Sequence, residues 1–295
     1  MIENISYLFI IFILGVILKR RFEKNIDALI DFIIYISLPS LVFSQIYTLD
    51  IKISIINDIV FGWLITIFSI ILSAILGKIL NLSRESLISF IMVSSFGNTA
   101  FLGYPYIQTL LGDKALGYAI IFDNFASFLP VITIGTILIS MENRYRFKIK
   151  KIIFSPPFLA LILAFLAKSI QIPEALLVTF DALGSTVTPL ALFTVGVKLD
   201  FSKLQTIKYP IFFSLFIKMI LIPLLAIFLY KELFDIDLKA KSILLEIAMP
   251  PMVLASIMVM KAKLDSSLAT ASVGFGVILS FITVPIIFYI TSSIY

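Results

Sequence analysis

Cysteine and histidine are both absent from the 295 residues. Their absence excludes disulfides, zinc and haem ligation, Cys–His catalysis and histidine-based proton switching. Charge is scarce as well. Asp, Glu, Lys and Arg make up 14% of the chain, against about a quarter in an ordinary soluble domain. Too few polar side chains remain to cover a water-facing surface, so a soluble globular domain of this length is excluded. There is no glycine-rich phosphate loop ending in Lys-Ser or Lys-Thr, so ATP does not drive the protein directly. No Gly-x-Gly-Asp run occurs, and with histidine missing an intramembrane protease is disfavoured. The chain reads as a non-enzyme.

What is present is apolar. Hydrophobic types make up 60% of the residues and mean hydropathy is +1.11. A spanning helix needs about 20 apolar residues plus a few for each turn. Ten apolar runs can be marked, at 2–18, 26–48, 54–80, 86–111, 115–141, 153–170, 174–197, 207–230, 239–260 and 266–293. The expected fold is an all-α polytopic membrane protein with ten transmembrane helices. The first run is read as a retained span. Its charges, Lys19, Arg20 and Arg21, follow the apolar stretch instead of preceding it, and no small-residue cleavage site is visible.

The net charge of +5 resides mainly in short connections between the runs, where it sets topology; no nucleic-acid partner is expected. Sixteen of the 23 Lys and Arg residues fall in odd-numbered connections and six in even-numbered ones. This bias places the odd connections in the cytoplasm and both termini outside the cell membrane. Lys218 is left over, inside the eighth run. The most basic connection is 143–152, with Arg144, Arg146, Lys148, Lys150 and Lys151. It is read as a cytoplasmic link between two halves, with contact to anionic lipid as the alternative.

The halves resemble each other. At an offset of 150, Asp31 falls on Asp181, Pro39 on Pro189, Phe43 on Phe193, Leu49 on Leu199 and Asp50 on Asp200. At 152, Asp113 falls on Asp265 and Leu116 on Leu268. The organisation expected is a first five-helix repeat over 1–142 and a second over 153–295. Five is odd, so the second repeat is inverted, an architecture of secondary transporters.

The fourth and ninth runs correspond in this repeat, and both are interrupted. The fourth carries Gly97, Asn98 and Thr99 at mid-span, then Gly103 and Pro105; the ninth carries Pro250 and Pro251 in tandem. Two successive prolines remove two donors and crowd the preceding turn, so a continuous helix is not expected there. Broken backbone at membrane depth is tolerated where protein buries it or it lines a cavity. The second halves of two antiparallel spans would aim positive N-terminal ends at a shared crossing, which suits an anion. Asn98 and Thr99 would add neutral donors. The candidate substrate-binding residues are therefore Gly97, Asn98, Thr99, Pro250 and Pro251. The alternative reading is that Gly and Pro merely permit close helix packing.

At these segments the chain resembles the auxin efflux carrier family, whose prokaryotic members include malate and other organic-acid permeases. The resemblance rests on ISLPSLVF at 36–43, GNTAFLGYP at 97–105, YAIIFDNF at 118–125 and the proline-broken ninth run. It implies ten helices in two inverted repeats with helices 4 and 9 crossing, and transport of an organic anion. The same fold serves bile acid symporters and cation/proton antiporters, so the substrate does not follow from the fold. A sodium-coupled, bile-acid-symporter-like carrier and a non-transporting receptor or regulator remain alternatives.

Ionisable residues inside spans are expensive and default to functional roles. Asp123, Glu246, Lys218 and Asp181 are the candidates for coupling or charge balance, with Asp31 nearer an edge. Lys218 could offset the negative C-terminal ends of the first half-helices or pair with a buried carboxylate; alternatively it snorkels, and Asp181 is a water-exposed edge residue. The run EIAMPP at 246–251 has the Glu-x-x-Met spacing that bile acid symporters place at a sodium site, but prolines stand where polar residues follow there. Proton coupling through Asp123 or Glu246, or potential-driven uniport, is favoured over sodium. No cofactor or resident metal is expected. The expected partners are a small organic anion and membrane lipid, with a homodimer left open.

Overall fold

The computed structural model describes residues 2–50, 53–141, 155–199 and 209–293. The basic connection 143–152 lies outside the described residues. The main helices are α1 (Ile2–Ile17), α2 (Ile26–Thr48), α3 (Ile55–Ile79), α4 (Arg84–Ser95), α5 (Tyr104–Leu111) and α6 (Asp113–Ser140). They continue with α7 (Pro156–Ala167), α8 (Glu174–Lys198), α9 (Tyr209–Leu233), α10 (Leu238–Ile247), α11 (Val253–Lys261) and α12 (Ser266–Ser293). No strand occurs among the described residues.

Six of these helices, α2, α3, α6, α8, α9 and α12, are long and apolar enough to cross a membrane. The apolar part of α1 (Ser6–Ile17) and α7 (Pro156–Ala167) are shorter. Twelve helical residues rise only about 18 Å, against a hydrocarbon core of about 30 Å. The fourth and ninth apolar runs are each split in two, into α4 and α5 and into α10 and α11.

Proline shapes the long helices. Wide π-helical turns at Ile33–Ser37, Thr99–Gly103, Asp123–Phe128 and Ile217–Leu221 each end two residues before a proline: Pro39, Pro105, Pro130 and Pro223. A proline inside a helix lacks its N–H and its ring crowds the carbonyl four residues back. Opening the preceding turn to the wider π spacing accommodates the ring without ending the helix. Carbonyls loosened this way seek other donors. The Trp63 indole N–H on α3 donates to Phe125 O in one such turn at 2.8 Å.

The helices group into two compact units. The first comprises residues 1–52, 100–120 and 148–199. Within it α1 and α8 meet through glycine. A Cβ on Gly15 would lie 2.2 Å from Phe193 O, and one on Gly196 would lie 2.2 Å from Phe12 O, so neither position admits a side chain. Such close backbone approach is a principal source of helix association in lipid, where apolar surface gains little by meeting apolar surface. Gly184 does the same for α8 against Leu41 of α2, and Ser37 bonds Thr186 across that pair at 2.7 Å. Lys168 donates to the carbonyls of Tyr47 and Leu49, placing a cation at the negative C-terminal end of α2.

The second unit comprises residues 53–99, 121–147 and 200–295. Its helix α3 is inside-out relative to a soluble helix. Asp58, Gly62, Ser69, Ser73 and Gly77 share its buried face with Ile55, Phe61 and Ile65, while Leu64, Phe68, Ile71 and Ile75 form an exposed stripe suited to lipid. Asp58 is 1% exposed and is held by two partners, the Tyr230 hydroxyl and the Lys239 ammonium, each at 2.5 Å. This triad ties together the start of α3, the end of α9 and the start of α10.

Candidate functional site

The site forms in the second unit, where two helix interruptions meet. Helix α4 stops at Ser95, and Phe96 turns to extended geometry. Helix α10 stops at Ile247, and the chain resumes helical form only at Val253 after the two prolines. Each interruption leaves peptide groups that no helix satisfies, and away from water such groups must find partners. They find each other. Asn98 N donates to Pro250 O at 2.7 Å, and Met252 N donates to Phe96 O at 2.9 Å, forming a short antiparallel bridge between Gly97 and Pro251. The tandem prolines therefore leave Met252 as the donor on their side.

Lys218 lies at this junction. It sits on a π-helical turn of α9, is 3% exposed, and its ammonium donates to Ile247 O at 2.7 Å. Ile247 is the last residue of α10, so the cation rests on the negative end of that half-helix. Room for it depends on glycine. A Cβ on Gly97 would lie 3.0 Å from Lys218 Nζ and 3.1 Å from its Cε.

Glu246, one residue before Ile247, is 1% exposed, and neither carboxylate oxygen has a hydrogen-bond partner among the described residues. Asp123 opens the π-helical turn of α6 and accepts the Thr99 hydroxyl in a short hydrogen bond. Thr99 also lies 3.0 Å from the Ser127 hydroxyl, one turn along from Asp123. Asp123 and Lys218 are the charged groups that act electrostatically on Glu246. A cavity of about 30 Å³ runs among these side chains, lined by Ser69, Ser95, Thr99, Ser127, Lys218 and Glu246 with apolar neighbours. That volume holds one or two water molecules, far less than an organic ligand.

Gly97, Asn98, Thr99, Pro250, Pro251, Asp123, Glu246 and Lys218 thus belong to one unit and surround one junction. Two details differ from the sequence expectation. The Thr99 hydroxyl is committed to Asp123, because the π-helical turns on both segments bring the two side chains together. The donor that remains is the Asn98 side-chain amide, which is buried and unpartnered among the described residues. Asp181 and Asp31 belong to the first unit, are exposed, and are not among the residues around this junction. Sequence reasoning did not single out Ser95 or Ser127, although Ser127 stands four residues after Asp123 and so on the same helix face. It also passes over Asp58, inside the third run, and counts Lys239 only among the connection charges.

Over residues 1–288 the chain matches the family described as membrane transport protein. It is similar to an uncharacterized transporter of Methanothermobacter thermautotrophicus, 26% identical over 296 residues and 96% of each chain. A second relative, an uncharacterized transporter of Methanocaldococcus jannaschii, is 29% identical over 266 residues, 85% of each chain. With a match across nearly its whole length, and with interrupted apolar helices around a buried polar junction, the chain belongs to the membrane transport protein family, the family of the auxin efflux carriers.

Proposed function

We propose that this transporter is a secondary carrier of small organic anions, carboxylates among them, which it moves across the cell membrane by alternating access. The observation that carries the reading is the junction itself: two broken helices bonded to each other at Gly97 and Pro251, with the Lys218 ammonium and the unpartnered Asn98 amide beside them. A cation and a neutral donor at an irregular backbone crossing suit a carboxylate. The reading treats the ten apolar runs as two inverted five-helix repeats with helices 4 and 9 crossing at this point. The cavity admits only water-sized groups, so the anion binds when this region opens to one side of the membrane. Purified protein in proteoliposomes, screened with malate, other dicarboxylates, indole-3-acetate and bile acids, tests the reading. Saturable uptake of at least one carboxylate is expected; saturable binding without flux under any imposed ion gradient or potential favours a receptor instead.

A sodium-coupled carrier is the second reading, favoured by one observation: Glu246 offers two unpartnered carboxylate oxygens to a small cation. The Lys218 ammonium, which lines the same cavity and repels a second cation, weighs against it.

A further inference from the structure

Three ionisable side chains meet around the junction, all within the second unit: Lys218, Asp123 and Glu246. Among the described residues, Asp123 and Lys218 are the charges that act on Glu246; Lys78, Lys231 and Glu232, on helices packed against it, are exposed, and Lys241 stands in the first turn of α10. Asp58 on α3 is held by Lys239 and Tyr230, Arg84 and Glu85 stand at the opposite end of α4 from Ser95, Lys261 ends α11, and α12 has no charged residue. The charge of the cluster must therefore balance within itself, because an uncompensated charge in a buried, low-dielectric site is strongly unfavourable.

Two of the three groups have partners that suit their ionised forms. The Lys218 ammonium donates to Ile247 O at the negative end of α10. Asp123 accepts the Thr99 hydroxyl, a charge-assisted bond to a carboxylate. These two charges cancel. Among the described residues Glu246 then has no cation left to balance it and no donor to either oxygen, so it holds a proton. The remaining space explains how that proton moves. Around a volume fit for one or two waters stand three oxygens unpartnered among the described residues, Glu246 Oε1 and Oε2 and Ser95 Oγ, and the same cavity reaches Thr99 and Ser127 beside Asp123. A water in that space would bridge Glu246 to the hydroxyls that touch Asp123.

We propose that Glu246 and Asp123 share one proton when the site is empty and take a second, from bulk hydronium, when the site receives a monoanion, so that one proton travels with each negative charge of the substrate. The first half stands on the cluster alone; the second rests on the anion-carrier reading above. An arriving carboxylate takes over Lys218 as its counter-ion, and Asp123, deprived of that balance, becomes neutral by protonation. A dicarboxylate draws its second proton onto its own free carboxylate, and the transported assembly stays neutral.

Infrared spectroscopy of the full chain in lipid nanodiscs reads the protons without any substrate. At neutral pH one C=O stretch of a buried, deuterium-shifted carboxylic acid is expected, and Glu246→Gln removes it. Lys218→Met removes the balancing charge and raises the count from one to two, whereas Lys218→Arg, which keeps the charge, leaves one. No such band in the unmutated protein, or an unchanged count in Lys218→Met, overturns the shared proton. Proteoliposomes enclosing a pH-sensitive dye, given an inward malate gradient, read the coupling. Internal acidification at two protons per malate is expected. Malate flux without proton movement overturns the coupling and leaves the carrier reading intact. Absence of flux for every acid tried, with the infrared pattern as expected, removes the carrier reading and the second proton and leaves the single shared proton standing.

Discussion

The backbone N–H of Asn98 donates to the carbonyl of Pro250 at 2.7 Å, joining two helix interruptions that lie 152 residues apart in the chain. Neither interruption satisfies all of its own peptide groups, and each supplies part of what the other lacks. The side-chain amide of Asn98 is left without a partner among the described residues, in a place that excludes water. An unpartnered buried donor costs about 1–3 kcal/mol and is retained when something else binds it.

Asn98 is expected to donate to the substrate carboxylate. A hydrogen bond to a charged group contributes about 1.5–3 kcal/mol. Asn98→Ala should therefore weaken apparent affinity roughly ten- to hundredfold in proteoliposome uptake, and Asn98→Asp should be worse, because it sets a like charge against the anion. Ordinary uptake by Asn98→Asp would refute the anion site.

The contact of α1 with α8 should tolerate no added methyl. Gly15→Ala and Gly196→Ala each force a backbone carbonyl to move by more than an ångström. Overpacking of this kind costs about 1–3 kcal/mol. A lowered thermal midpoint in detergent or nanodiscs is the expected readout, and unchanged midpoints for both variants would show that the helices do not approach as described.

The Asp58–Lys239 pair should behave as a largely buried ion pair, with Asp58 enclosed and Lys239 partly exposed. Removing one partner strands the other, at a cost of about 3–5 kcal/mol, while replacing both with apolar residues is closer to neutral. Asp58→Leu alone should destabilise the protein strongly, and Asp58→Leu with Lys239→Leu should recover much of the loss. If the double variant is no more stable than the worse single one, the two side chains are not coupled.

The distribution of Lys and Arg sets an expected orientation, with both termini outside and the connection 143–152 in the cytoplasm. Single cysteines at Ser292 and Arg146 can be probed with an impermeant thiol reagent in intact cells. Labelling of Ser292→Cys alone is expected; labelling of Arg146→Cys alone would reverse the topology.

Much of this protein was legible in order of residues. Scarcity of charge and the length of the apolar runs pointed to a membrane-embedded helical fold, because a helix satisfies its own backbone in lipid and runs of about 20 apolar residues suit helices instead of barrel strands. Gly97 with Asn98, and Pro250 with Pro251, marked the two interruptions, since missing N–H groups are a property of residue type and need no partner to be recognised. Lys218, Asp123 and Glu246 stood out for the same reason: a charge inside an apolar run is conspicuous wherever it points. Tertiary structure alone decided what each of these touches. The pairing of Asn98 with Pro250 joins segments 152 residues apart, and no local propensity encodes it. Thr99 meets Asp123 because proline-driven π turns rotate both segments, a shift of about one residue's register that periodicity counting treats as continuous helix. Asp58 and Lys239 stand near run ends, where a charge attracts little notice, and only the packing of α3, α9 and α10 brings them together. Composition fixes which groups must be kept from lipid; the fold determines which of them keep one another company.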